Sequence, residues 1–173
     1  MLQFIKNIMN KKYQLNYSNL KPSMYTEDER IKKANKTVAV LRDYLNEVSK
    51  LNLLDIGSST GIMTNEYSKH FYNVTGVDLD TTAIEYSINQ YKKGNLKFIC
   101  APIEDAGIPE SSFDVITCSQ IYEHVPSDKT LMEEIYRILK PGGVCYFAAG
   151  NRFKIIEPHY KLPFLSFLPK KLA

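Results

Sequence analysis

The sequence predicts an α/β protein: a Rossmann-like doubly wound sheet in three layers, α/β/α, mostly parallel. Three observations predict it. Short runs rich in Val, Ile, Leu and Phe alternate with helical patterns along the middle of the chain. The first run, Leu53-Leu54-Asp55-Ile56, feeds directly into a turn of small residues, Gly57-Ser58-Ser59-Thr60-Gly61. A second run ends at Val77-Asp78 and delivers a carboxylate 21 positions after Gly57. Strands separated by helices need right-handed crossovers, which put helices on both faces of a parallel sheet.

Taken in order, residues 1–24 are rich in Asn, Lys and Tyr, with Phe4, Ile5, Ile8 and Met9 spaced for a short amphipathic helix. A longer helix starts at Thr26, which with Glu29 reads as a T-x-x-E capping box. Ile31, Ala34, Val38, Leu41, Leu45 and Val48 then recur at steps of three and four, giving one face to bury. Strands are expected over Leu51–Ile56, Asn73–Asp78, Leu96–Cys100, Asp114–Ser119 and Gly143–Ala149. Between them, Thr81–Tyr91 carries Ile84, Ile88 and Tyr91 on one helical face, and Ser127–Leu139 carries Leu131, Ile135 and Ile138. Pro141-Gly142-Gly143 stops the last helix. Three parts follow: a helical cap segment over 1–49, a core over 50–150, and an apolar, Pro-containing tail over 151–173.

At 173 residues, 44% hydrophobic and 24% charged, the chain suits one domain with a sizeable core. A net charge of +3, with lysines in scattered pairs, is too mild to argue for nucleic acid. Cys100, Cys118 and Cys145 make an odd count without C-x-x-C, and each falls in an apolar run. They read as buried free thiols in a reducing compartment, with neither disulfide nor metal site. No apolar run approaches the roughly 18–20 residues of a membrane span. Met1–Ile5, interrupted by Lys6 and Asn7, is too short for a signal peptide. A cytoplasmic location is the expectation.

The turn discriminates between nucleotides. A dinucleotide site wants G-x-G-x-x-G, so that pyrophosphate presses against backbone at the helix start. Here the glycines stand four apart, with Ser59 between them, and no Lys-Ser/Thr follows Gly61 as a phosphate-binding loop requires. Asp55, just before the turn, would repel pyrophosphate but suits a cationic amino-acid moiety. That chemistry fits S-adenosylmethionine, which carries an ammonium and a sulfonium.

Leu53–Gly61 and Val74–Asp80 resemble the first two motifs of class I S-adenosylmethionine-dependent methyltransferases of the small-molecule type. Phe113–Ser119 resembles their fourth strand, Glu123-His124-Val125-Pro126 the segment after it, and Leu139–Gly143 the turn before strand five. Any one motif is weak; five in order over residues 30–152 are specific. The run Thr117-Cys118 with Glu123–Pro126 is similar to ubiquinone-biosynthesis O-methyltransferases. The resemblance implies S-adenosylmethionine as cofactor, S-adenosylhomocysteine as product, and no metal.

It also implies roles. Gly57, Ser58, Ser59 and Gly61 shape the cofactor loop, Ser59 standing where the family has its middle glycine. Asp55 holds the methionine ammonium through backbone or water, against the alternative of a helix-capping carboxylate. Asp78 binds the ribose hydroxyls, and Leu79 packs on adenine. The family's acidic adenine contact falls on Pro102 here, so that task passes to the backbone of Ile103 and the side chain of Glu104. Ser119 and Gln120 meet the methionine end mainly through backbone. His124 is the catalytic candidate: a neutral imidazole at the sheet edge can take a proton from an attacking hydroxyl. The alternative is structural, a cap on the following helix or a bond to Glu123. Tyr122 and Glu123 are lesser pocket candidates, His70 reads as surface, and His159 as a remote one. The helix from Thr26 lids the cofactor, with Tyr25 and Arg30 near its carboxylate.

No Asn/Asp-Pro-Pro-aromatic run follows strand four, where Ser119-Gln120-Ile121-Tyr122 stands instead, which argues against amino methylation of nucleic-acid bases. The expected acceptor is a small molecule, with a hydroxyl on an apolar, sugar-containing or lipid-linked body. A non-catalytic S-adenosylmethionine-binding module and a nicotinamide-dependent oxidoreductase are the competing readings. The tail holds nine large apolar residues from Phe153 to Leu168, broken by Pro158 and Pro163. It reads as ordinary packing, or as a wall for an apolar acceptor or a contact with a membrane surface through 153–168. An integral membrane segment is not expected; a homodimer is an open assembly. About 23 residues after strand five are too few for a helix and the family's closing antiparallel strand pair, so the sheet is expected to lack that pair and the chain to be a piece of a longer one.

Overall fold

A computed structural model of the chain describes Leu15 and residues 17–122 and 124–150. The predicted helix around 4–9, the tail over 151–173 with His159, and Glu123 lie outside the described residues. The described elements run α1 (Tyr17–Leu20), a 3₁₀ turn (Pro22–Tyr25), α2 (Glu27–Leu45), β1 (Asn52–Ile56), α3 (Ile62–Tyr67) and β2 (Asn73–Asp78). They continue through α4 (Thr81–Gln90), β3 (Leu96–Cys100), a 3₁₀ turn (Ile103–Asp105), β4 (Phe113–Ser119), α5 (Asp128–Ile138) and β5 (Leu139–Ala148). The strands form one sheet in the order β3-β2-β1-β4-β5, and every pairing is parallel. The order reverses between β1 and β4, so the crevice of this open sheet opens outside the carboxyl ends of those strands.

Both faces of the sheet are covered, which is why its central strands read as continuous apolar runs. Leu53, Val74 and Val115 pack with Ala34, Val38 and Leu41 of α2 and with Tyr67 of α3. Leu54, Val77 and Ile116 pack with Leu131, Ile135 and Ile138 of α5. Leu53, Leu54, Val115 and Ile116 have no exposed surface, and each such side chain contributes about 1.5–3 kcal/mol by leaving water.

Several expectations are corrected. Thr26 takes the N-cap position of α2, but its side chain makes no capping bond, so the capping box does not form. Ile88 is 50% exposed: α4 meets the sheet only through the stripe that holds Ala83, Ile84 and Ser87. Cys100 is exposed, Cys145 half-buried and Cys118 buried, and none of the three forms a disulfide among the described residues. Strand five starts at Leu139 rather than Gly143, because Phe113 already pairs with Leu139 and the ladder then skips an irregular step before Val115 pairs with Val144.

Candidate functional site

Three features assemble at the carboxyl ends of β1 and β2. The turn after β1 takes left-handed backbone at Gly57 (φ 79°), Ser59 (φ 48°) and Gly61 (φ 70°). A side chain at Gly57 would run into Ile121, just past β4. One at Gly61 would lie 2.7 Å from Ser87 Oγ and 2.8 Å from the Phe98 ring. Gly76 of β2 lets the turn approach from the other side: a Cβ there would sit 2.8 Å from that of Ser58. The Ser58 hydroxyl is thus packed against β2, while its N–H donates to the Val77 carbonyl at 3.1 Å and its carbonyl accepts from the Gly61 N–H at 3.0 Å. Ser59, a non-glycine in left-handed backbone, is held by both its main-chain groups. Its N–H donates to Asp78 Oδ2 at 2.7 Å, and its carbonyl accepts from Ser87 Oγ at 3.2 Å.

Asp78 ends β2. Its second oxygen accepts from the Asp80 N–H at 2.9 Å. Burial raises its pKa, and the bonds from Asp80 and Ser59 counter that rise. Asp55 is fully buried among β1, α3 and β4, where it accepts from Thr64 Oγ1 and Thr117 Oγ1, each at 2.7 Å. Desolvation pushes its pKa up to about 6, against the two hydroxyl bonds, with Asp78 adding repulsion and Arg30 attraction. The carboxylate does not cap a helix through a backbone amide; it ties three elements together beneath the turn. Thr64 was not singled out from sequence, and Thr117 only as part of a motif with no role of its own; the fold brings both to Asp55.

The cap segment closes the site from above. Thr60 Oγ1 donates to the Met24 carbonyl at 2.7 Å. The Ser18 N–H donates to Asp80 Oδ2 at 2.7 Å. Arg30 points its guanidinium at Met24 Sδ and lies within the fields of Asp55, Tyr17 and Asp78. Tyr25 instead packs edge-on against Tyr86. Of the other expected residues, Leu79 is half-buried at the β2 exit and Glu104 is exposed. Ile103 buries its side chain in the core beneath α5, leaving only backbone for a ligand. Ser119 ends β4, and Gln120 adopts left-handed backbone (φ 59°) with its N–H on the Ala148 carbonyl. His124 is half-buried, with its ring 6.2 Å from that of Tyr17. It does not cap α5, since Ser127 accepts from Thr130 there. His70 lies away from the site, beside Arg42.

The site suits a nucleoside with a zwitterionic arm: a glycine turn that admits close approach, a carboxylate at β2, and a buried carboxylate with an arginine above. A cleft of about 420 Å³ at the opposite, amino edge, among Asn52, Asn73, Lys97, Ile108 and Phe113, holds none of these. Among the described residues no group of His, Cys, Asp or Glu is placed to hold a metal, and no helix is long and apolar enough to cross a membrane.

Fold and site together define an α/β domain of the methyltransferase type. The chain belongs to the methyltransferase-domain family, which it matches over residues 54–147, more than half of its length. It is 32% identical over 103 residues to a ubiquinone biosynthesis O-methyltransferase of Coxiella burnetii, covering 58% of this chain and 44% of that one. A protein of the same name from Psychrobacter cryohalolentis is 31% identical over 124 residues, covering 65% and 48%. The chain thus spans about half the length of the curated relatives it matches. An S-adenosylmethionine dependent methyltransferase structure from Mesorhizobium loti shares the fold, with a TM-score of 0.59 at 22% identity over 68% of this chain and 55% of that one.

The raised Asp55 pKa makes a stability prediction. A carboxyl whose folded value lies above its unfolded one, about 3.9, destabilises the fold as it ionises, so stability falls as pH rises from about 4 through about 6. Asp55→Asn keeps an acceptor for Thr64 and offers a donor to Thr117, whose hydroxyl already has the Leu54 carbonyl at 3.5 Å. The variant should be more stable than the native chain by about 1–3 kcal/mol at pH 7.5. The gain should vanish near pH 4, read from denaturant melts at both values. A variant less stable at pH 7.5 would contradict the assigned cost of the buried charge.

Proposed function

We propose that the chain binds S-adenosylmethionine across the Gly57–Gly61 turn and transfers its methyl group to a hydroxyl of a small-molecule acceptor. The observation that carries this reading is the turn itself, with Asp78 bonded to its Ser59 amide at the carboxyl edge of the sheet. The residues fit the cofactor: the Asp78 carboxylate stands beside the turn at the end of β2, and Asp55 and Arg30 offer opposite charges to a zwitterion. The names of the relatives support oxygen as the acceptor atom.

When bound, the cofactor supplies an electrophilic methyl on a sulfonium, a good leaving group. Asp78 accepts from the ribose hydroxyls. Leu79 packs on adenine, and the Ile103 backbone with Glu104 meets its edge. Asp55, ionised at pH 7, attracts the ammonium through the turn, and Arg30 takes the carboxylate. Ser119 and Gln120 offer main chain to the amino-acid arm. His124 takes the acceptor's proton. Little more is asked of side chains, because in-line placement of acceptor and methyl supplies much of the acceleration. The free thiols support a reducing, cytoplasmic setting. The division at 49 and 150, a homodimer, and a lipid-linked acceptor meeting 153–168 belong to the same proposal.

Calorimetric titration of the full chain with S-adenosylmethionine, and with NAD as control, tests it. Saturable one-to-one binding of the first alone is expected. Preference for NAD, or no binding by a folded chain, would overturn it. Incubation with hydroxylated acceptors then separates an enzyme, which forms S-adenosylhomocysteine, from a binding module, which does not.

A further inference from the structure

We infer that the cap segment carries a cofactor-binding group of its own, the hydroxyl of Ser18, directed at the nucleoside end of the cofactor. The inference rests on the proposed S-adenosylmethionine site and extends it to a segment where no motif points to a ligand.

Ser18 is 1% exposed, yet its Oγ has no hydrogen-bond partner among the described residues. A buried hydroxyl without a partner is costly, whereas alanine at the same place leaves no polar group to satisfy. α1 is only four residues long, so the serine is not explained by helix propensity. Its backbone is already spoken for: the Ser18 N–H is held by Asp80 Oδ2, while Asp80 Oδ1 caps α4 through the Ala83 N–H. The Asp80 N–H in turn donates to Asp78. A chain of bonds therefore links Ser18 to the carboxylate that ends β2, at the place where a ribose would sit.

The same segment reaches across the crevice. Met24 accepts from Thr60 in the glycine turn, and the Tyr17 ring lies against His124 beyond β4. Lys21 Nζ lies 5.1 Å from the centre of that Tyr17 ring. The segment over 17–25 is thus tied to β2, to the turn and to the loop after β4. The ties place an unsatisfied buried donor at its β2 end. A ribose hydroxyl or an adenine ring nitrogen is the partner this donor fits.

Ser18→Ala in the full chain tests the inference through two readouts. Thermal melting of the ligand-free variant should match or exceed the native chain, since no made bond is lost. Affinity for S-adenosylhomocysteine, by calorimetry, should fall about threefold to tenfold, the loss of one hydrogen bond. Methylthioadenosine, which lacks the amino-acid arm, should lose the same factor. Unchanged affinity for both ligands would overturn the inference, as would a loss confined to S-adenosylhomocysteine or a ligand-free melt lowered along with affinity. A native chain that binds neither ligand would sink the cofactor reading itself, and this inference with it. Ser18→Thr, which keeps a hydroxyl, should retain more affinity than Ser18→Ala for either ligand.

Discussion

Asp78→Ala is expected to weaken S-adenosylmethionine binding by at least about 100-fold, since a carboxylate that accepts from two ribose hydroxyls contributes about 1.5–3 kcal/mol per bond. The loss has a second source. In the ligand-free chain this carboxylate holds the Ser59 and Asp80 amides, so the alanine also releases the turn from β2. Asp78→Asn separates the two, because the amide keeps one acceptor oxygen for the backbone but loses the charge. It should bind more weakly than native and more tightly than Asp78→Ala. Direction with pH follows from the raised pKa: the ionised form is the acceptor, so affinity should fall as the medium is acidified toward that value. Titrations at two pH values check this, and an alanine variant within threefold of native affinity would remove Asp78 from the site.

Gly61→Ala is expected to destabilise the fold strongly. Its φ of 70° is left-handed, which costs an L-residue about 1–2 kcal/mol. The new methyl would lie 2.7 Å from Ser87 Oγ and 2.8 Å from the Phe98 ring, and overpacking adds about 1–3 kcal/mol. Together they should lower the melting temperature by roughly 5–15 °C for a domain of this size. Gly94→Ala is the control: nothing lies within 4 Å of a Cβ there and its backbone is not left-handed, so the change should stay within about 0.5 kcal/mol. Equal melts for the two variants would refute the steric account of Gly61.

The parts that local pattern decides were legible in the chain. Strands two and three were read to the residue, since Asn73 and Asp78 bound one apolar run and Asn95 and Pro102 flank the other. The helix bearing Leu131, Ile135 and Ile138 was read to within a residue at each end, because three core contacts at helical spacing leave little choice. Pro141-Gly142-Gly143 misled the reading of strand five. A Pro-Gly pair signals a break, but an edge strand tolerates an irregular step, and pairing resumes across it. Ile88 misled for a related reason: helical spacing marks a face, and only the packed neighbours decide how wide a face is buried.

Within the site, Asp55, the glycines and Asp78 stand close in sequence to the turn they build, so spacing alone marked them. Their partners do not. Thr117 reaches Asp55 from 62 positions away, Ser18 reaches Asp80 across the same distance, and Ile121 covers Gly57 only because β4 lies beside β1. The sequence by itself therefore determined the fold class, the order of elements and the position of the glycine turn at the end of β1, all of which follow from hydrophobic period and local backbone freedom. The tertiary structure alone decided which hydroxyls bond the buried carboxylate, what closes over the turn, and which buried polar groups are left without a partner among the described residues. Those depend on contacts between residues far apart in the chain, which no local pattern records.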